Sequence, residues 1–589
     1  MWTRAHRVRL IGLKTGKELH YAVNLLRSWP FVRYLRFGGV PRMSDRPCRV
    51  LLVYPKFVPN SFWNYTDTCK LLDARYPAAP LGLITVAALL PQHWQFKLVN
   101  RNTENLSSDD IAWADMVMTG GMLNQQPDCQ RIIKLCHAQG KPVVVGGPDV
   151  TSSPHLYQAA DFQVLGEAED VIKDFVASWE HGERSGIFTA EKFQVDVTKT
   201  PMPRFDLLNF SHYLYICVQY SRGCPFTCEF CDIIELYGRR PRTKSNAQML
   251  AELERLYELG YRGHVDFVDD NLIGNKKALK TFLPELKVWQ QAHDYPFEFS
   301  TEASMNIADD NQLLEMMKQA NFFALFIGVE SPDPETLKQT SKKQNTKRNM
   351  AENIHKLYSY GMFVTAGFIV GFDNEKGSIA DAMAEFIDEC AIPVSMVGLL
   401  YALPNTQLTR RLAKEGRLHQ GHDVMLEDRA GDQCSLGINF EPKRPLREIL
   451  TDYKLILEQV FEPAAYARRL DRLTAMLDRS GRPERAKEDM RLASLQTVSR
   501  ILDAMPGGRD MFWKTFMNCA RNNPGALRSI VSMMAIYVHL GPFAGSVIAE
   551  INRRIAVIDE EGRGMPGAAQ VTAAEAATAR SLATESSLH

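Results

Sequence analysis

A chain of 589 residues, 45% hydrophobic and 23% charged, has ample material for buried cores and the length of roughly three or four domains. Lysine plus arginine balances aspartate plus glutamate at 69 each, which excludes the strongly basic character of a nucleic-acid-binding protein. Eleven cysteines, an odd number at mostly irregular spacings, exclude a disulfide framework and point to a reducing, cytoplasmic setting.

Residues 1–46 form a basic extension. They lack the continuous apolar core and small-residue cleavage site of a signal peptide. The stretch reads either as a tail or as a surface helix that meets anionic lipid, the second giving a peripheral contact at the inner membrane surface. Residues 47–190 then change pattern. CRVLLVYP at 48–55 is a short apolar run ended by proline, as a buried parallel strand should be. A helical stretch at 81–90 and strand candidates at 96–99, 116–119, 143–145 and 162–165 alternate, which predicts a Rossmann-like doubly wound parallel sheet. Ligands of such sheets bind beyond the strand C-termini. Gly146 and Gly147 in VVVGGPDV, and Gly166 and Glu167 in VLGEAED, stand at two of those ends. A glycine pair there admits a flat or anionic ligand, and a tight turn explains it equally well.

A linker holding Pro201 and Pro203 leads to residues 205–440, where the alternation is more regular. Strands are predicted at 215–221, 264–269, 297–301, 324–329, 363–370 and 395–402, with helices such as 246–259 and 277–291 between them. Six successive βα units predict a partial (β/α)6 barrel with its active site at the strand C-termini. Residues 445–560 read as a helical C-terminal domain. The apolar stretch 529–549 is broken by His539, Gly541 and Pro542, so two short buried helices joined at Gly541-Pro542 are expected rather than a membrane span. Residues 562–589, rich in Ala, Gly, Ser and Thr, read as a disordered tail.

SRGCPFTCEFCDI places Cys224, Cys228 and Cys231 just after the first barrel strand. Thiolates suit iron–sulfur clusters, and three on one tight loop hold three corners of a cube while leaving the fourth iron open. Structural zinc would want a fourth ligand, and no Cys or His lies near. The spacing, with Phe230 before the third cysteine, resembles the radical S-adenosylmethionine (SAM) superfamily. The resemblance implies a 4Fe–4S cluster whose open iron chelates SAM, and one electron that cleaves it to a 5′-deoxyadenosyl radical.

The motifs at the following strand ends are candidates for holding SAM. They are Asp269, Asp270 and Asn271 in HVDFVDDN, Ser300 and Glu302 in FEFSTEAS, Glu330 in FIGVESP, and Gly371 in FIVGF, where a glycine lets adenine approach the backbone. An Asp-Asp pair also serves as a helix N-cap. Arg239, Arg240, Arg242 and Lys244 form a basic run after the cluster loop, read as a solvated turn in preference to a cofactor contact.

A Rossmann-like domain ahead of this barrel resembles the cobalamin-binding radical SAM proteins, which implies cobalamin near Gly146, Gly147, Gly166 and Glu167. The chain lacks the Asp-x-His-x-x-Gly motif whose histidine ligates cobalt in many cobalamin domains, so the lower face of cobalt is expected to carry no histidine. SRGCPFTCEFCDI, ELYGRRPRTKS, FVDDNLIGNKKA and FEFSTEAS together resemble the hopanoid C-2 methylase group. That resemblance implies methyl transfer from methylcobalamin to an unactivated carbon of a small or lipid-like substrate, with electrons from a flavodoxin- or ferredoxin-type donor. Two alternatives stay open: a cobalamin-dependent radical cyclase or oxidase without methyl transfer, and a non-enzymatic iron–sulfur electron-transfer protein.

Overall fold

The computed structural model describes residues 46–346, 348–425, 431–432, 434–482 and 495–561. The tail expected at 562–589, and all but the last residue of the extension expected at 1–46, lie outside the described residues. The named elements belong to the unit Cys48–His589.

The first part of the chain supplies β1 (Arg49–Tyr54), β2 (Tyr76–Ala78), β3 (Gln95–Asn100), β4 (Met116–Gly120), β5 (Val143–Gly146), β6 (Phe162–Leu165) and β7 (Gly186–Thr189). Six of them form a wholly parallel sheet in the order β3-β1-β4-β5-β6-β7. The apolar runs are continuous because both faces are covered. Leu51, Val53, Val117, Val143 and Val145 bury on one side, and Val50, Leu52, Met116, Met118 and Val144 on the other. The sheet has one strand more than the expectation, since GIFT at 186–189 is a half-exposed edge strand without the continuous apolar run of its neighbours.

The second sheet is built from β8 (Tyr213–Val218), β11 (Gly263–Phe267), β12 (Phe297–Ala303), β13 (Phe322–Glu330), β14 (Phe363–Val370) and β15 (Val394–Leu399); the short pair β9 (Ser221–Arg222) and β10 (Arg242–Thr243) stands apart from it. Its order is β15-β14-β13-β12-β11-β8-β2, all parallel, curled into a half-barrel. All six expected barrel strands are present. The seventh, β2, comes from within residues 47–190 and pairs Tyr76 with Tyr213 and Ala78 with Tyr215, so the boundary drawn at 190 does not separate the two sheets cleanly.

Strand alternation sorts the half-barrel's residues. Val265, Phe267, Phe297, Phe299, Leu325 and Ile327 are fully buried in the outer core. Their neighbours His264, Asp266, Glu298, Ser300 and Phe326 line a cavity and are only half-buried. The lumen is therefore hollow.

The C-terminal helices Leu446–Val460, Pro463–Met476, Leu495–Asp503, Arg509–Asn522 and Leu527–Glu561 share one continuous core with the half-barrel. The last corrects the expected pair of short helices: it runs unbroken through Pro542. An interior proline costs about 3 kcal/mol, and packing on both flanks holds the helix together. Tyr537 stacks on Tyr466 at 4.0 Å, Phe543 meets Phe62 at 6.1 Å, and Gly541 gives Pro506 room to approach. The helix is long and apolar enough to cross a membrane by length and composition, yet 67% of its most apolar window is buried inside the protein.

Candidate active site

The cysteine loop leaves β9 at Gly223, whose φ of +96° only glycine adopts easily; an added Cβ would lie 2.9 Å from the Gly238 carbonyl oxygen. Cys224 N–H donates to that carbonyl at 3.2 Å, and Cys231 N–H to the Cys228 carbonyl at 3.3 Å. None of the three cysteines is in a disulfide. Burial pushes the Cys224 and Cys231 thiols up, and the charge of neighbouring cysteines adds to it. A cation among them is what would stabilise three thiolates. The donor set thus fits a cluster held by three cysteines.

The expected SAM residues Asp269, Asp270 and Asn271 are turned onto this loop. The Asp269 carboxylate accepts from Tyr220 N–H at 3.0 Å, from Ser221 N–H, and from the Ser221 hydroxyl at 2.6 Å. Asp270 accepts from Gly223 N–H at 2.8 Å. Asn271 donates to the Ser304 hydroxyl at 3.1 Å and to Cys224 Sγ at 3.7 Å. Burial pushes the carboxyls of Asp269 and Asp270 up to about 7 and about 6. These three side chains brace the loop from β11.

Glu330 lies at the end of β13, where the register with β14 shifts, with φ +69° in the left-handed region. Such strain is concentrated at functional sites. Its carboxylate accepts from Lys342 Nζ at 2.6 Å, and the two side chains lie across Gly328, where any Cβ would collide with both. Burial works against the Lys342 ammonium, but the Glu330 carboxylate, joined by Cys228 and Cys231 when their sulfurs are ionised, outweighs it and holds it charged. Gln344 Nε2 reaches Cys228 Sγ at 3.8 Å.

Glu302 projects into the lumen. Among the described residues its carboxylate has no hydrogen-bond or ion-pair partner. Loss of hydration, then the charges of Asp266, Asp270 and Asp269, push it up to about 8. Ser300, one alternation lower, donates to Asp266 and so accepts from His264 Nε2 at 2.6 Å. Gly371 has φ +103°, but an added Cβ would meet Ile438 at 3.2 Å and Ile449 at 3.3 Å, so that side is filled by protein and not open to adenine.

At the first sheet, any Cβ on Gly120 would overlap the Gly146 carbonyl, and Gly147 at φ +94° approaches Gly121. These glycines let β4 and β5 run close. Gly166, at φ +84°, donates its N–H to Thr151 Oγ1 at 2.9 Å. In the loop after β4, Asn124 Oδ1 is shut off from solvent with no partner. Glu167 is claimed by protein. It pairs with Arg222 at 3.0 Å and with Arg242 at 2.8 Å, while Arg222 also holds Glu169 at 2.7 Å. The basic run is thus solvated only in part: Arg239 and Arg240 are exposed, whereas Arg242 is paired and Lys244 is buried against Glu252 at 2.6 Å.

Sequence reasoning missed Lys342, Gln344, Arg222, His264 and Asp266. The last two had a signal: HVDF places two polar side chains on one face of a strand whose other face is apolar.

A half-barrel with three free cysteines at the strand ends defines a radical SAM protein, and the radical SAM superfamily model matches residues 218–387. A domain of unknown function, DUF4070, matches residues 406–553. An uncharacterised methyltransferase of Synechocystis sp. is 42% identical over 86% of this chain and 94% of its own length. The hopanoid C-2 methylase of Rhodopseudomonas palustris is 36% identical over 72% of this chain and 79% of its own. The chain belongs to this family of radical SAM methyltransferases. Its fold is also that of the radical SAM methyltransferase TsrM from Kitasatospora setae, with TM-score 0.54 at 16% identity over 72% of this chain and 95% of that one.

Proposed function

We propose that the chain transfers a methyl group to an unactivated carbon of a neutral, lipid-like molecule, using a 4Fe–4S cluster, SAM and cobalamin. The observation that carries the reading is the cysteine loop, braced by Asp269, Asp270 and Asn271 at the strand ends of a half-barrel whose hollow lumen holds the unpartnered Glu302. When bound, the cluster supplies the electron that cleaves SAM and cobalamin carries the methyl group.

The chain's own residues then have these tasks. Cys224, Cys228 and Cys231 hold iron and leave one position open. Lys342, kept charged beside Cys228 and Cys231, meets the SAM carboxylate, and Glu330 fixes Lys342 in place. Glu302, on the lumen side, receives the amino group or the ribose hydroxyls. Cobalamin would be held at the C-terminal edge of the first sheet, where Gly147 and Gly166 turn the backbone away and Asn124 has an unsatisfied oxygen. Glu167 is withdrawn from that set because Arg222 and Arg242 consume it. Electrons come from a flavodoxin- or ferredoxin-type donor.

The test is anaerobic purification with cobalamin supplied, then reduction with methyl-labelled SAM and extracted lipids. Cobalamin absorption and label in a lipid product are expected. 5′-Deoxyadenosine without label in any product would favour the cyclase or oxidase alternative, and a spectrum of iron–sulfur absorption alone would remove cobalamin. Cys228→Ala should lose the iron and all turnover.

A further inference from the structure

The half-barrel encloses a cavity of about 1100 Å³, larger than most small-molecule sites. It runs from Glu302 down to the N-terminal ends of the strands, away from the cysteine loop, and is bordered there by exposed Arg262 and Asp294. Along β12 the inward residues Glu298, Ser300 and Glu302 mark about 13 Å of depth at the rise of a parallel strand. Trp63, Tyr65 and Phe326 form part of an aromatic wall, with Trp63 and Phe326 5.7 Å apart. The long C-terminal helix contributes Met533 and Ile536 to the lining.

The polar groups of this chamber are internally matched. Arg528 is paired with Glu298 at 2.6 Å, and the rim's Arg262 lies 3.4 Å over the Tyr257 ring. His264, Ser300 and Asp266 form one hydrogen-bonded chain. Burial pushes the His264 imidazole down to about 4 and the Asp266 carboxyl up, so the imidazole is uncharged at neutral pH. Among the described residues, the lining below the rim thus has no cation without a carboxylate partner to receive a phosphate or carboxylate, since Arg262, which has none, stands exposed at the mouth; the Ser300 oxygen and the Asp266 carboxyl can still accept from an alcohol.

We infer that this chamber binds the methyl acceptor lengthwise, as a neutral, mostly apolar molecule that enters at the N-terminal mouth, lays a hydroxyl against the His264–Ser300–Asp266 chain, and presents a carbon beside Glu302. The inference rests on the methyltransferase reading for what happens at that carbon, but not for what the chamber binds.

Titration calorimetry on the full, cluster-loaded chain tests it with three probes of matched length: 1-decanol, decane and decyl phosphate. 1-Decanol should bind best, with decane and decyl phosphate each about tenfold weaker, the factor one hydrogen bond provides. His264→Leu should bring 1-decanol down to the level of decane, and Met533→Trp, which fills the lining, should weaken both. Iron content and thermal midpoint report whether the variants fold. Equal or tighter binding of decyl phosphate to the unaltered chain overturns the inference whatever the variants do, as does unchanged 1-decanol binding in a folded Met533→Trp chain. Methyl label reports separately: binding as expected with no labelled product would sink the methyltransferase reading and leave the chamber standing.

Discussion

The two sheets are made of the same βα repeat and do opposite things with it. In the first, both faces are apolar and filled, and what chemistry it has is confined to the turns at its C-terminal edge. In the second, one face is apolar and buried against helices, while the other carries His264, Asp266, Glu298, Ser300 and Glu302 around an open space. Curling a sheet lets it tolerate polar side chains on its concave face, because the lumen can hold water or a ligand where a flat packed layer would demand close contact. The teaching is that the scaffold's stability and the site's chemistry are separated by the strand period of two.

The buried ion network is where the two sheets are most sharply coupled, and Arg222→Ala should break it. It strands Glu169, whose side chain is 9% exposed and is ion-paired to Arg222, while Glu167 keeps Arg242, and it should cost about 3–5 kcal/mol in chemical denaturation. Adding Glu169→Gln should restore part of that loss, which a mere packing defect would not allow.

Next in size, Asp269→Ala removes the acceptor for two buried N–H groups and a hydroxyl. Each unsatisfied group costs about 1–3 kcal/mol. The variant should melt earlier and also hold less iron per chain after reconstitution. Normal iron content in a destabilised variant would show that Asp269 supports the fold but not the loop.

Pro542→Ala returns a hydrogen bond to the long helix and should raise stability by about 1 kcal/mol, less than a helix interior usually gains, since both flanks are already held by packing. A loss on this substitution would mean that the helix depends on its proline.

The smallest effect is a slope, because Glu302 is exposed to the lumen, where water screens most of the charge. The Glu302 carboxyl is raised from the ordinary range near 4 to about 8, so the folded state keeps a proton that the unfolded chain has released. Its contribution is present below pH ~4 and is lost as pH rises toward 8. Thermal midpoints of the unloaded chain measured across that window should fall less steeply in Glu302→Gln than in the unaltered protein.

Much of the architecture was legible from the residues. The βα alternation located all six barrel strands, because the face of each strand that packs on the helices must be apolar, at every second residue in β11 and β12. The triplet Cys224, Cys228 and Cys231 could be read from spacing alone, because a loop that wraps three corners of a cluster has few residues to spare. Asp269, Asp270, Asn271, Glu302 and Glu330 stand at strand ends as expected, whereas Ser300 falls in the middle of β12, beside Asp266. Their partners were not legible. Nothing in FVDD tells a carboxylate that accepts backbone N–H groups from one that awaits a ligand, and Lys342 reaches Glu330 only because the chain turns back after β13.

What the sequence by itself determined, then, is the order of elements and the gathering of three cysteines on one loop after the first barrel strand, since both follow from local periodicity and covalent spacing. Only the tertiary structure decided which carboxylates are spent on bracing and which is left unpartnered. It also decided that β2 crosses into the second sheet, that Pro542 stays inside a helix, and that the lumen is hollow. Those outcomes depend on which groups come within a few ångströms across long stretches of chain, and such meetings are fixed by packing and by the balance of buried charge.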